Sequence, residues 1–185
     1  MLVKLEKVQI SVNLREKLQH ITDEFPVEQH PLKIQELSPS YGHSIKLVDS
    51  QCPIAEYTCV VYSFGLTEDP TYLSVASFGF GRTFAGAEFI HFLLDRRLLT
   101  ERQTGQIFTG DLVVYFDGAL FKHVGKVLAS SQVLSKWGTG HLFMHSTWEV
   151  PTNYGERVKY FKQLAPEEGL DLFIKYAEFH GFTFN

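Results

Sequence analysis

The clearest pattern of hydrophobic and polar positions lies in the second half of the chain, over residues 108–138. The Asp117-Gly118 pair within it favours positive φ and predicts a hairpin turn. Runs rich in the β-branched and aromatic residues that strands favour flank and follow this turn at residues 112–116, 120–128 and 133–138. We therefore predict three consecutive antiparallel strands in this block.

The N-terminal part of the chain combines two periodicities. Residues 8–14 alternate between apolar and polar, which predicts a strand, and the apolar residues from 14 to 25 recur at helical spacing, which predicts a short helix. Residues 30–37 predict a second strand. A cluster of turn residues follows at 38–42, and residues 44–48 predict a short extended piece.

The most compact apolar run of the first half covers residues 53–66 and predicts a buried helix with Cys59 in its first half. Its β-branched residues leave a strand as the alternative. A helix with a broad apolar stripe is predicted over residues 85–99. The remaining segments predict loops at 67–70 and 79–81, an apolar segment at 141–150, a turn at 152–155, a strand at 157–161 and a helix from Pro166 to about residue 179.

These segments place helices mainly in the first half, an antiparallel sheet in the second half and a helix at the end. That order predicts an α+β fold, because it does not alternate as β-α-β units do. The 185 residues show no repeat, low-complexity tract or linker, so we expect a single domain. Within it we expect an N-terminal elaboration over 1–50, a core over 51–165 and a C-terminal helix over 166–185.

Composition narrows the classes of function. Hydrophobic residues make up 44% and charged residues 21% of the chain, as is usual for a globular protein. The net charge of −4 provides no electrostatic attraction to nucleic acid or to an anionic membrane, so neither is expected as a partner. No run approaches the roughly 18 apolar residues of a membrane-spanning helix, and the N-terminus lacks the apolar core of a secretion signal.

The 2 cysteines, Cys52 and Cys59, are too few and too far apart for a zinc cage or a redox pair. Without an export signal we expect reduced thiols and a cytoplasmic location. Cys59 is then either a small buried hydrophobic residue or a reactive thiol. Cys52, in a polar loop, is the rival nucleophile.

His123 is the candidate base, since a histidine in mid-strand beside a hairpin has a well-fixed ring. The alternative is a core histidine satisfied by a backbone carbonyl. Ser135 on the following strand would accept or relay the Nδ1 proton of His123 if the two strands pair directly. His141 and His145 are alternatives for that position. No carboxylate shares a metal-ligand spacing with them, so no metal is expected.

Three segments together resemble the NlpC/P60 superfamily of papain-like cysteine peptidases and amidases, which is related to the CHAP amidases. They are Cys59 early on a helix, the strand start Gly110-Asp111-Leu112-Val113, and the strand segment His123-Val124-Gly125. The resemblance covers roughly residues 53–138. It implies a papain-like fold in which helices pack on a central antiparallel sheet.

The resemblance also implies a function. Cys59 would attack the carbonyl of a peptide or amide substrate, His123 would be its base, and Ser135 would orient the His123 ring. The resemblance therefore implies a cysteine hydrolase that works through a thioester and needs no cofactor. Backbone N–H groups near the start of the Cys59 helix would stabilise the oxyanion.

Two alternatives stay open. Acyl or amide transfer uses the same Cys–His pair, because only the acceptor differs. A non-enzymatic binding or interaction domain with a degenerate site is the other. It is favoured because the family's usual Asp-Cys-Ser-Gly is here Thr58-Cys59-Val60-Val61, and because Ser135 stands where His, Asn or Gln is common.

Overall fold

The computed structural model describes residues 2–50, 54–77, 83–103, 105–129 and 131–183, with backbone only for residues 2–11 and 166. Cys52 and the predicted loop at 79–81 lie outside these residues. In chain order the elements are α1 (Leu2–Glu24), a 3₁₀ turn (Val27–Gln29), α2 (His30–Tyr41), β1 (Lys46–Leu47), α3 (Cys59–Ser63), α4 (Pro70–Ser77), α5 (Ala87–Asp95), β2 (Leu112–Asp117), β3 (Leu120–Ala129), β4 (Gln132–Lys136), β5 (Leu142–Ser146), a second 3₁₀ turn (Thr152–Tyr154), β6 (Arg157–Phe161) and α6 (Pro166–Phe179).

The described strands form a six-stranded sheet in the order β1-β5-β4-β3-β2-β6, and every neighbouring pair is antiparallel. The combination of helices with an antiparallel sheet confirms the predicted α+β class. No helix in the described part of the chain is both long enough and apolar enough to cross a membrane.

Helices cover both faces of this sheet. On one side Val114 and Val124 pack against α3, α4, α5 and α6, and we call this the α3–α6 face. On the other side Val113 and Tyr115 pack against α1 and α2, and we call this the α1–α2 face. His123 lies directly opposite Tyr115 in the β2–β3 pair, so its side chain points to the α1–α2 face.

The predicted strand at residues 8–14 is wrong, because α1 runs without interruption from Leu2 to Glu24. Leu14, Leu18 and Ile21 recur at helical spacing and are buried in the α1–α2 core, whereas Val12 is exposed. The helical period of the core-facing residues therefore decides the conformation, and the short alternation before them does not.

The predicted strand at residues 30–37 is also wrong, and most of the predicted turn at 38–42 belongs to the same helix, α2. A proline in the first turn of a helix needs no N–H, so Pro31 suits this start. His30 and Ile34, one helical turn apart, are both buried. Only Gly42, with φ of 58°, has the left-handed conformation of a helix cap.

The helix predicted around Cys59 is confirmed, but it is short and begins at Cys59 itself. The helix predicted over 85–99 covers only Ala87–Asp95, since Arg97 takes a positive φ of 54° soon after its end. Helix α4 was not predicted. Its N-terminal residue, Pro70, had been assigned to a loop.

The strand block at the centre of the sequence is confirmed as β2, β3 and β4, with the turn after Asp117 closing the first hairpin. The apolar segment at 141–150 supplies β5, and the extended piece at 44–48 supplies β1. The predictions of a strand at 157–161 and a helix from Pro166 to Phe179 agree with β6 and α6.

Candidate active site

Cys59 is the first residue of α3, a free thiol on the α3–α6 side of the sheet. Thr58 caps the helix, and its Oγ1 accepts a hydrogen bond from the Val61 N–H at 3.4 Å. The sulfur lies by the backbone amide of Val124 on β3 and by the amides of Val60 and Cys59. This placement sets the thiol against the strand residue that directly follows His123.

Burial raises the pKa of the Cys59 thiol to about 11, although the neighbouring backbone amides favour the thiolate. The residue is only 7% exposed. At neutral pH the sulfur therefore carries its proton. A reaction at this thiol needs a base that removes the proton during the attack, because no thiolate is formed in advance.

His123 is 1% exposed, and burial, followed by the nearby His145, holds the pKa of its imidazole well below the usual range. The ring is therefore neutral at pH 7. Its Nε2 atom has no hydrogen-bond partner, so it is not bonded to the Cys59 sulfur. The structure brings the thiol to the backbone beside His123 without joining the two side chains.

Tyr154, from the second 3₁₀ turn, contacts the candidate base. Its ring stacks on the His123 imidazole, with the centroids 4.1 Å apart and the planes 21° from parallel. Burial and the charge of Cys59 raise the pKa of its phenol well above the usual range, against the amide of Gly138, which lowers it. Tyr154 therefore covers the imidazole with a neutral ring.

Ser135 is fully buried and is paired with His145, not with His123. The Nδ1 atom of His145 lies 2.9 Å from the carbonyl oxygen of Ser146, which assigns the proton to Nδ1. Nε2 then accepts from the Ser135 hydroxyl at 2.8 Å. Burial lowers the pKa of His145 to about 4, so this network is neutral at pH 7.

Unpartnered polar atoms concentrate close to this region. Among the described residues, the buried side-chain atoms without a hydrogen-bond partner are His123 Nε2, Trp137 Nε1 and His141 Nε2. The rings of both His123 and Trp137 contact Tyr154. Buried polar atoms without partners are rare in proteins and call for an explanation such as a catalytic role.

His141, the other alternative for the third position, has a ring 6.1 Å from that of Phe143. Burial lowers the pKa of its imidazole, while the backbone of Val27 raises it. No group of three or more His, Cys, Asp or Glu side chains in the described ranges is placed to hold a metal ion.

Sequence reasoning missed Tyr154 and the residue that holds it, Arg15. The sequence does indicate the turn that carries Tyr154, between Pro151 and Gly155. It contains no signal for the stacking partner, because 31 positions separate Tyr154 from His123 and the contact depends on how the turn folds over β3.

Comparison with known proteins gives no match to this chain among family models, curated proteins or solved structures.

Proposed function

We propose that this chain is a cysteine hydrolase with a papain-like arrangement, in which Cys59 is the nucleophile and His123 the base for cleavage of a peptide or amide bond. One observation carries the proposal. The Cys59 sulfur, at the start of a helix, lies near the backbone amide of Val124, the residue that follows His123 on β3, and Ser63 of the same helix donates to the Val124 carbonyl oxygen at 3.4 Å. A helix-borne cysteine and a strand-borne histidine are the two groups that this chemistry needs.

The neutral resting state defines the order of steps. As Sγ attacks the substrate carbonyl carbon, the His123 imidazole takes the thiol proton and the carbonyl oxygen becomes an oxyanion. The imidazolium then gives its proton to the amine as the C–N bond breaks, which leaves a Cys59 thioester. Water, deprotonated by His123, attacks the thioester, and the thiol leaves with the proton. The products are a carboxylic acid and an amine.

The backbone amides of Cys59, Val60 and Val124 already approach the sulfur. They are the donors available for the oxyanion, which develops next to the same atom. Amides fixed by a helix and a sheet need no reorganisation when the charge forms.

A second candidate function is a binding domain with a degenerate site. It is favoured by the exposures of 7% for Cys59 and 1% for His123, since a substrate reaches these atoms only if the side chains above them move. The engagement of Ser135 with His145 favours it too. In this case the histidine and the thiol are inert parts of the core.

Hydrolysis of a mixed library of N-acetyl-dipeptidyl aminomethylcoumarin amides distinguishes the two functions. Wild-type protein is expected to release the fluorophore, Cys59→Ala to abolish release, and His123→Ala to lower kcat/KM by about 10²–10⁴-fold. Cys52→Ala is the matched control and keeps the wild-type rate. Absence of release by folded wild-type protein, or release that survives Cys59→Ala, contradicts the hydrolase.

A further inference from the structure

We propose that Tyr154, held in place by Arg15, is the positioning residue that fixes the plane of the His123 imidazole. The inference rests on the proposed function, in which His123 is the base. It assigns to a stacked ring the orienting role that the sequence suggested for Ser135.

Ring contacts hold the His123 imidazole in its plane. Nε2 of His123 has no hydrogen-bond partner, so a hydrogen bond at that atom does not set the ring orientation. Ring contacts do. Tyr154 stacks on the imidazole at 4.1 Å, and Tyr115 contacts it at 5.4 Å with a tilt of 49°. Rotation about the Cβ–Cγ bond of His123 out of this plane drives the imidazole into the Tyr154 ring.

Helix α1 holds the backbone of the turn that carries Tyr154. The guanidinium of Arg15, on α1, donates to carbonyl oxygens on both sides of the 3₁₀ turn. Its Nε atom lies 3.2 Å from Val150 O, and its Nη2 atom lies 2.6 Å from Gly155 O and 3.2 Å from Pro151 O. One helical turn further along α1, Gln19 Oε1 accepts from the Asn153 N–H at 2.9 Å. Side chains of helix α1 are therefore hydrogen-bonded to the backbone before and after Tyr154.

Strand β2 of the sheet also contacts the backbone that follows Tyr154. Gly155 has a φ of 97°, and a Cβ there would overlap the carbonyl of Phe116 on β2. The next residue, Glu156, donates its N–H to the same carbonyl oxygen at 3.0 Å. Because the turn is fixed to both α1 and β2, the Tyr154 ring has a well-defined position. A group that orients a catalytic side chain needs such rigidity.

The contact also has a chemical consequence. The imidazole and the phenol shield each other from water. A catalytic base must be held close to its productive position, because a misplacement of 1 Å lowers the reaction rate roughly 10²-fold. The ring of Tyr154 is needed for this role, and its hydroxyl is not.

The test combines NMR of the His123 ring protons with hydrolysis of the coumarin amides. Tyr154→Phe is expected to retain the ring-current shifts of His123 and the wild-type kcat. Tyr154→Leu is expected to move these signals downfield and to lower kcat about 10–100-fold with KM unchanged. Arg15→Gln, which loosens the turn and leaves the ring, is expected to change both readouts in the same direction by less.

Tyr160→Leu is the matched control. Tyr160 also packs against the α1–α2 core, and in the described residues its ring makes no contact with that of His123. Its loss is expected to leave the His123 signals in place. The inference is overturned if Tyr154→Leu leaves the shifts unchanged, or if Tyr154→Phe lowers kcat as far as Tyr154→Leu does.

The two proposals fail separately. The NMR shifts need no turnover, so a wild-type protein without hydrolase activity removes the proposed function while the shifts still decide whether Tyr154 orients the ring. Conversely, an active enzyme with unchanged His123 shifts in Tyr154→Leu keeps the function and removes the inference. Thermal unfolding of each variant identifies any that does not fold, and Arg15→Gln then serves in place of Tyr154→Leu.

Discussion

Replacement of Asp111 by alanine is expected to lower the free energy of unfolding by about 3–5 kcal/mol. The Asp111 carboxylate is fully buried, and Arg102 donates to it from Nε and Nη2, each at 3.0 Å. The backbone N–H groups of Phe108 and Gln163 donate to it at 2.8 Å and 3.0 Å. Alanine leaves a partly buried guanidinium and two amides without their partner.

A matched acid–base pair on the surface provides the control. Glu101 and Lys159 are 2.8 Å apart, but their side chains are 52% and 40% exposed. Glu101→Ala is expected to cost about 0.2–1 kcal/mol, because water screens the pair. Urea denaturation of both variants at pH 7.5 measures the difference. An Asp111→Ala variant that loses no more stability than Glu101→Ala contradicts the structural role given to Asp111.

Acidification from pH 6.5 to pH 4 is expected to remove about 3 kcal/mol of stability through His145 alone. Burial lowers the pKa of His145 from 6.5 to about 4 in the folded protein. Over this interval the unfolded chain binds a proton that the folded protein does not, so stability falls as the pH falls. His123, whose pKa is also lowered by burial, adds to the effect in the same direction.

The variant His145→Asn isolates this contribution. It loses hydrogen bonds and is less stable at pH 7.5, but its stability is expected to fall less steeply between pH 6.5 and 4, by up to about 1.4 kcal/mol per pH unit. His180→Gln, at an exposed position, is the matched control. Urea denaturation at four pH values measures the slopes. Equal slopes for wild type and His145→Asn contradict a buried neutral His145.

The fold was predictable where the burial of one face of a helix or strand determines the pattern of apolar residues in the sequence. Strands β2, β3 and β6 carry continuous or alternating apolar residues, and the Asp117-Gly118 turn marks the hairpin between β2 and β3. Of the N-terminal helices, only the second half of α1 follows from the sequence pattern, in which Leu14, Leu18 and Ile21 recur at helical spacing. The alternation at residues 8–14 predicts a strand where the first half of α1 lies. Tertiary burial outweighed the local pattern there.

The site was predictable only in part for a similar reason. Cys59 and His123 stand out as residue types, and their segments place them on a helix and a strand that contact each other. Residue types do not determine hydrogen-bond partners across strands. Ser135 bonds to His145 on β5, and the His123 ring is held by Tyr154, whose position depends on Arg15, 139 residues away.

The central claim is that Cys59 and His123 act as one catalytic pair. Its most direct test is a double-mutant cycle on kcat/KM for a coumarin amide that wild-type protein cleaves. When two residues act as a unit, the effects of their substitutions on kcat/KM do not add. We predict that the double variant keeps the same residual kcat/KM as Cys59→Ala, because without the thiol His123 has no proton to take. A double variant whose loss is the product of the two single losses, or a Cys59→Ala variant that keeps its rate, contradicts the account.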